Sequence, residues 1–197
     1  MTITRAIAAL ILVIAIVWAI AQLSRLNSDS RDRLSPGGDV SGYQDEEREN
    51  IARHAEIVVR AGPTFAPGYV VGMMREGDGW KLVGRGNRAK GPEGPNLPQE
   101  TSCSRPIGET LSRNSMALWS KALAAAGKTE GIGLDGEFFS FYLKSRNVGG
   151  STWSPDARNQ PRMYRLAQIA DGLFEACLTG KDLDALNSQI SELSAML

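Results

Sequence analysis

Residues 161–177 read PRMYRLAQIADGLFEAC, and their apolar side chains recur at the spacing of an α-helix. Side chains three and four positions apart lie on one face of a helix, so these residues predict one apolar stripe that faces a core. Pro161 suits a first helical position, where its missing N–H would have no partner. Gly180 suits the residue that ends the helix. The residues of this stripe are Met163, Leu166, Ile169, Ala170, Leu173, Phe174 and Cys177.

A second apolar series follows, and its steps of three and four predict another helix. It covers too few heptads to sustain a coiled coil. We therefore expect this helix to pack on the same domain. The residues of the series are Leu183, Leu186, Ile190, Leu193 and Leu197.

Upstream, residues 137–144 read EFFSFYLK and suit a half-buried strand, because aromatic side chains pack well on a pleated surface. The preceding pair Asp135 and Gly136 is a strong turn signal and predicts a hairpin. Residues 147–151 are expected to turn the chain, and residues 152–153 to begin one more short strand.

Residues 116–126 read MALWSKALAAA and predict a helix. Its expected core contacts are Leu118, Trp119 and Leu123, and Gly127 is expected to end it.

Two apolar runs, 69–75 and 80–83, flank the sequence EGDG at 76–79, which predicts another hairpin. Residues 84–100 are rich in glycine and proline and are expected to form an exposed loop.

Residues 43–60 predict a helix, since Ser41 and Gln44 have capping-box spacing and acidic residues follow in the first turn. Its last turn, residues 57–59, alternatively fits an early strand. The fold class predicted from these patterns is α+β: a small antiparallel sheet of two hairpins flanked by helices.

The N-terminal stretch 6–21 (AIAALILVIAIVWAIA) carries no charge, glycine or proline. A helix of this composition has no polar face, and with Leu23 it reaches the lower limit of what spans a bilayer. We expect 1–24 to be a transmembrane signal-anchor or a signal peptide, 25–42 a flexible linker and 43–197 an extracytoplasmic domain. The membrane is therefore one expected partner.

Two interpretations of the N-terminal stretch remain open. The sequence Ala-Ile-Ala at 19–21 matches a signal-peptidase site, with cleavage before Gln22 and release to the periplasm. The length of the stretch and the interfacial residue Trp18 favour instead a retained anchor in the inner membrane, with a periplasmic domain.

The chain has two cysteines, Cys103 and Cys177. An even pair in an exported domain predicts a disulfide bond, and this prediction depends on export to an oxidising compartment.

Lysine plus arginine and aspartate plus glutamate number 22 each, so the net charge is zero. This balance argues against nucleic acid as a partner, because phosphate binding needs a basic surplus. At 42% hydrophobic residues the chain has enough apolar material for a core.

No catalytic, metal or cofactor site is predicted. Residues 84–89 match the dinucleotide fingerprint G-x-G-x-x-A, but the glycine and proline residues after it prevent the helix start that binds pyrophosphate. His54 is the only histidine and is expected at the surface, so zinc-ligand spacing is missing.

A candidate binding surface comprises Trp153 and the basic residues Arg85, Arg88 and Lys90. An alternative interpretation of Trp153 is a core anchor at a loop-to-helix junction. The sequence favours a non-enzymatic binding or accessory module of the envelope, with a protein or glycan partner. The alternative is a small cell-wall or glycan hydrolase that uses paired carboxylates.

Overall fold

The computed structural model describes residues 12–22, 32–37, 45–63, 68–87, 100–127 and 136–197. In these ranges the chain forms a seven-stranded antiparallel sheet and five α-helices, which confirms the α+β class. The strands are β1 (Ser35–Pro36), β2 (Ile57–Pro63), β3 (Tyr69–Glu76), β4 (Gly79–Gly86), β5 (Thr101–Ile107), β6 (Glu137–Leu143) and β7 (Val148–Trp153). The helices are α1 (residues 12–22), α2 (Glu46–His54), α3 (Glu109–Ala124), α4 (Pro161–Thr179) and α5 (Leu183–Met196). The strand order is β1-β7-β6-β2-β3-β4-β5.

Helices α3, α4 and α5 enclose the main core against one face of the sheet. Alternate strand residues point to opposite faces, and Val59, Val71 and Phe141 point to this one. The stripe predicted on α4 is confirmed, since each of its residues is at most 1% exposed. Leu186 and Ile190 of α5 are also buried, which confirms that this helix packs on the domain.

Helix α2 covers part of the opposite face of the sheet. Its residues Ile51 and Ala55 pack with Val58 and Val70 in a second, smaller apolar cluster. The helix approaches β3 closely at Gly72, where an added Cβ atom would lie 2.6 Å from the Cβ atom of Ala55. A side chain at this position would push α2 away from the sheet.

Two predicted helices differ in their bounds. Helix α2 begins after the N-cap residue Asp45 and is shorter than the predicted 43–60, because residues 57–59 belong to β2. The alternative of an early strand there is confirmed, while the predicted cap Ser41 lies outside the described residues. Helix α3 begins at Glu109 rather than at residue 116.

The predicted hairpin around residues 76–79 is confirmed, and Gly77 and Asp78 form its turn between β3 and β4. Strand β4 continues to Gly86, so the start of the predicted loop at 84–100 is wrong. Of that predicted loop, residues 88–99 lie outside the described residues.

The hairpin predicted at Asp135 and Gly136 is wrong. Asp135 lies outside the described residues, but β6, which begins after Gly136, pairs with β2 on one side and with β7 on the other, so its neighbours are not the segment directly before it. Its hairpin partner is β7, reached through the 3₁₀ turn Lys144–Arg146. A strand is present as predicted at 152–153, but it begins at Val148 and ends at Trp153, so the turn predicted at 147–151 is wrong for residues 148–151.

Part of the predicted linker belongs to the folded domain. Within residues 25–42, the described segment 32–37 contributes β1, which pairs with β7. Leu34 is fully buried in the main core, and Asp32 is 4% exposed. The expectation of a free linker is therefore wrong for this segment.

The described part of the N-terminal stretch belongs to α1, and residues 6–11 of that stretch lie outside the described residues. Within the described ranges no helix combines the length and the apolarity needed to cross a bilayer.

Candidate functional site

A cleft of about 350 Å³ lies between α4 and α5 on the outer side of the domain. Two carboxylates, Asp171 and Glu175, line it from α4, and Asp182 lines it from the start of α5. Lys181 is the basic residue among the lining side chains. Gly172 lies at the bottom of the cleft, where the two helices approach closely. An added Cβ atom there would lie 3.0 Å from the side chain of Leu186.

The α4 wall of the cleft is fixed to the sheet by Tyr69. Its hydroxyl donates a 2.8 Å hydrogen bond to Oδ1 of Asp171. The Tyr69 ring is 2% exposed and stacks on Phe174 with centroids 4.5 Å apart. One carboxylate of the cleft is therefore held in place by a buried aromatic pair.

A second cavity of about 220 Å³ extends the cleft along the two helices. The two cavities share Gln168 and Gln189, and the second reaches Arg165 and Glu192. The result is a polar groove with Asp171, Glu175 and Asp182 at one end, two amides in the middle, and Arg165 with Glu192 at the other end.

Helix α4 is capped at both ends by residues distant in sequence. At its N-terminus the carboxylate of Asp32 accepts hydrogen bonds from the backbone N–H groups of Arg162 and Met163, each 3.0 Å long. The same carboxylate pairs with the Arg162 guanidinium at 2.9 Å. At the C-terminus Arg105 donates to the carbonyl oxygens of Cys177 and Leu178. Both charges have the sign that stabilises a helix dipole.

We expect Asp32→Ala to lower the free energy of unfolding by about 3 kcal/mol, because it removes the carboxylate that binds two helix N–H groups and pairs with the partly buried Arg162 guanidinium. Urea denaturation measures this loss. Asp184→Ala, at an exposed carboxylate in the first turn of α5, is the matched control. A loss no larger than that of the control would contradict the assigned cap.

The structure contains the predicted disulfide between Cys103 of β5 and Cys177 of α4, with an S–S distance of 2.06 Å. Gly84 of β4 lies beneath it, where an added Cβ atom would be 2.9 Å from Sγ of Cys103. The bond joins an edge strand to the central helix of the domain. It is consistent with an oxidising, extracytoplasmic compartment.

Of the candidate binding surface the structure describes Arg85 and Trp153, and these two residues lie apart on the sheet. Arg85 lies on β4 and Trp153 on β7, with β3, β2 and β6 between them. Arg88 and Lys90 lie outside the described residues. We therefore consider Arg85 and Trp153 separately.

Arg85 is the centre of an ion-pair network between α2, β4 and the start of β5. It pairs with Asp45 at 2.9 Å, Glu47 at 3.0 Å and Glu100 at 3.4 Å. Glu100 also pairs with Arg48 at 2.6 Å. Because three carboxylates surround two guanidinium groups, Arg85 contributes no basic surface, and its role is to fasten α2 to the sheet.

Burial acts to raise the pKa of Asp45, but the hydrogen bond from Arg85 and the N–H groups of Arg48 and Glu47 outweigh it and hold the pKa below the ordinary value of 3.8. A lowered carboxyl pKa stabilises the fold above the ordinary value, and this contribution is lost as the pH falls below 3.8 through the folded-state value.

We expect Asp45→Asn to cost about 0.5–1 kcal/mol at pH 6, because asparagine retains the helix cap but loses the ion pair. The difference from the wild type should shrink below pH 3.8, where Asp45 itself becomes protonated. Urea denaturation across pH 2.5–7 measures it, with Asp78→Asn at the exposed hairpin turn as the control. A difference that stays constant over this range would contradict the ion-pair assignment.

Trp153 packs beside Phe138 with ring centroids 5.9 Å apart. Its indole Nε1 is buried, without a hydrogen-bond partner among the described residues. Ser154, the next residue, accepts a hydrogen bond from the Glu137 backbone N–H. This geometry supports the alternative interpretation, in which Trp153 anchors the end of β7 to β6.

Two other expectations concern metal and nucleotide chemistry. His54 is exposed at the end of α2, as predicted. Gly84 and Gly86 of the dinucleotide-like sequence lie within β4. Across the described ranges no group of three or more histidine, cysteine, aspartate or glutamate side chains could hold a metal ion.

Helix α1 is the most unusual surface in the described chain. Its large apolar side chains are 49–66% exposed, and Trp18 is the most exposed of them. These residues are exposed on every side of the helix, which carries no charged residue. An apolar surface of this kind marks a site of contact with lipid or with another protein.

No protein-family model matches the chain, and neither curated proteins nor solved structures give a significant match. Its function is therefore argued from its own residues.

Proposed function

We propose that the protein is a membrane-attached envelope protein whose α+β domain works outside the cytoplasm as a non-enzymatic binding or accessory module. The observation that carries this proposal is the exposure of α1. Its eleven described residues continue an uncharged sequence that begins at residue 6. Insertion into lipid removes this apolar surface from water, and a helix tolerates lipid because its backbone groups bond to one another.

The disulfide supports the compartment. Cysteines in the cytosol are kept reduced, whereas an exported domain acquires and keeps such bonds. Cys177 is 1% exposed and Cys103 is half-buried, so the bond lies at the edge of the core rather than in a mobile tail. We place the domain on the oxidising side of the membrane.

The proposal is tested by cell fractionation followed by an alkaline carbonate wash and intact-mass analysis. We expect the full-length chain in the washed membranes. A mature protein that starts at Gln22 and appears in the soluble periplasmic fraction would remove the anchor but keep the compartment. A soluble cytosolic protein would overturn the proposal.

The groove between α4 and α5 favours a second candidate function, hydrolysis of a cell-wall or other glycan. Glycoside hydrolysis needs two carboxylates that flank the scissile bond. Asp171 and Glu175 stand on one helix and share a face, so they cannot face each other across a sugar. Asp182 lies on the opposite wall, which makes Glu175 and Asp182 the pair that would flank a substrate.

This second candidate is tested by incubating purified protein with cell-wall glycan and measuring released reducing ends. Activity that disappears in both Glu175→Gln and Asp182→Asn, but persists in the exposed control Asp184→Asn, would support the hydrolase. Absence of activity in the wild type would overturn the hydrolase.

A further inference from the structure

The point where the chain enters the domain is fixed by Asp32. Its carboxylate binds the first turn of α4, so the segment that follows α1 joins the domain at the N-terminus of that helix. Nine residues separate Gln22 from Asp32. However they are arranged, these residues span at most about 35 Å, since each adds no more than about 3.6 Å.

This end of the domain carries an unusual surface, which we call the Asp32 surface and define by Arg158, Arg162, Tyr164, Arg165 and Met196. Three large apolar residues outside α1 are exposed in the described chain, and two of them, Tyr164 (36%) and Met196 (50%), lie here. A guanidinium nitrogen of Arg165 lies 3.3 Å from the sulfur of Met196. Arginine, tyrosine and exposed apolar side chains together are typical of proteins that rest on a membrane interface.

At the Asp32 end of the domain the described cations outnumber the carboxylates, whereas Asp171, Glu175 and Asp182 lie toward the other end of the same helices. The cations are Arg33, Lys121, Arg158, Arg162 and Arg165, and the carboxylates are Asp32, Asp156 and Glu192. The Arg85 network, in which carboxylates outnumber arginines, lies across the sheet on the side of α2. Anionic lipid headgroups would attract the Asp32 end and repel the Arg85 network.

We propose that the Asp32 surface rests on the anionic headgroups of the membrane that holds α1, so that the hairpin turn of β3 and β4 and the Lys144–Arg146 turn point away from the bilayer. This inference rests on the proposed function, because it requires α1 in lipid. The short connection brings the surface within reach of the headgroups, and the arginines supply the attraction. The groove between α4 and α5 is then oriented along the membrane normal, with Arg165 near the bilayer.

The test uses the full chain in vesicles that contain headgroup-quencher lipid, with or without anionic lipid. Two single-label variants compare opposite ends: Ala157→Cys beside the Asp32 surface and Ser145→Cys in the Lys144–Arg146 turn, both at exposed positions. We expect at least threefold stronger quenching at residue 157 than at residue 145 in anionic vesicles. High salt should reduce the difference, because it screens exposed charges.

The variant Arg158→Gln/Arg165→Gln should weaken the quenching at residue 157. We expect the ratio of docked to undocked domain, calculated from that quenching, to fall by about fivefold for each arginine removed. The matched control Lys144→Gln/Arg146→Gln removes two cations from the other end and should leave the ratio unchanged. Failure of the wild type to float with vesicles would overturn the proposed function itself. If the protein floats but both labels are quenched equally, the docking is overturned and the anchor stands. The same holds if the quenching is unchanged by removal of anionic lipid and by high salt.

Discussion

Two aspartates in α1, introduced as Ile14→Asp and Val17→Asp, are expected to release the protein from the membrane fraction almost completely. Both side chains are more than half exposed in the wild type, so the domain loses no packing. A charged residue in the centre of a membrane helix costs about 2.5–3.5 kcal/mol, so the pair costs about 6 kcal/mol, or roughly a 10⁴-fold change in partitioning. Membrane fractionation of the variant and the wild type measures this change.

The matched control for this variant is Ile14→Leu/Val17→Leu, which changes the same positions without adding charge. It should remain in the membrane fraction. If the aspartate variant also remains there, the attachment does not depend on α1, and the central proposal is wrong. Correct folding of both variants is checked by their circular dichroism.

Loss of the disulfide is the second large effect that we expect. The Cys103–Cys177 bond closes a loop of 74 residues, and the chain-entropy estimate for a loop of this length is about 4 kcal/mol. A domain of this size is stable by about 5–15 kcal/mol, so the bond supplies a large part of the total. Cys103→Ala/Cys177→Ala should melt roughly 8–16 °C below the wild type.

The internal control is the reductant itself. Dithiothreitol should lower the melting temperature of the wild type to about that of the double variant and leave the double variant unchanged. A wild type whose melting temperature does not respond to the reductant, although free thiols appear, would show that the bond contributes little. Thiol counts before and after reduction distinguish this result from an inaccessible bond.

Local patterns in the sequence were sufficient for α4, α5 and the β3–β4 hairpin, because periodicity and turn chemistry act over a few residues. The start of α3 was missed for a physical reason. Ser112 and Ser115 occupy core positions at 0% exposure, so no apolar stripe marks its first turns. The hairpin predicted at Asp135 and Gly136 is wrong because β6 takes its partner β2 from a distant part of the chain, which no local turn signal records.

The candidate site was harder to predict than the fold. The carboxylates of the groove come from the outward faces of two helices, where a charged residue resembles an ordinary solvated position. Asp32 and Arg105 act at the ends of α4 from 130 and about 70 residues away, and no local pattern records such pairs. The disulfide was predictable because two cysteines allow one pairing.

The most direct test of where the domain lies is a reporter enzyme fused after Leu197 whose own folding requires disulfide bonds. We predict that the fusion is active in intact cells and that its activity stays with the membranes. The aspartate variant of α1 should abolish that activity. If this reporter, a phosphatase, is inactive, and a fluorescent protein that matures only in the cytosol fluoresces when fused to the same position, the domain lies inside the cell and the account is contradicted.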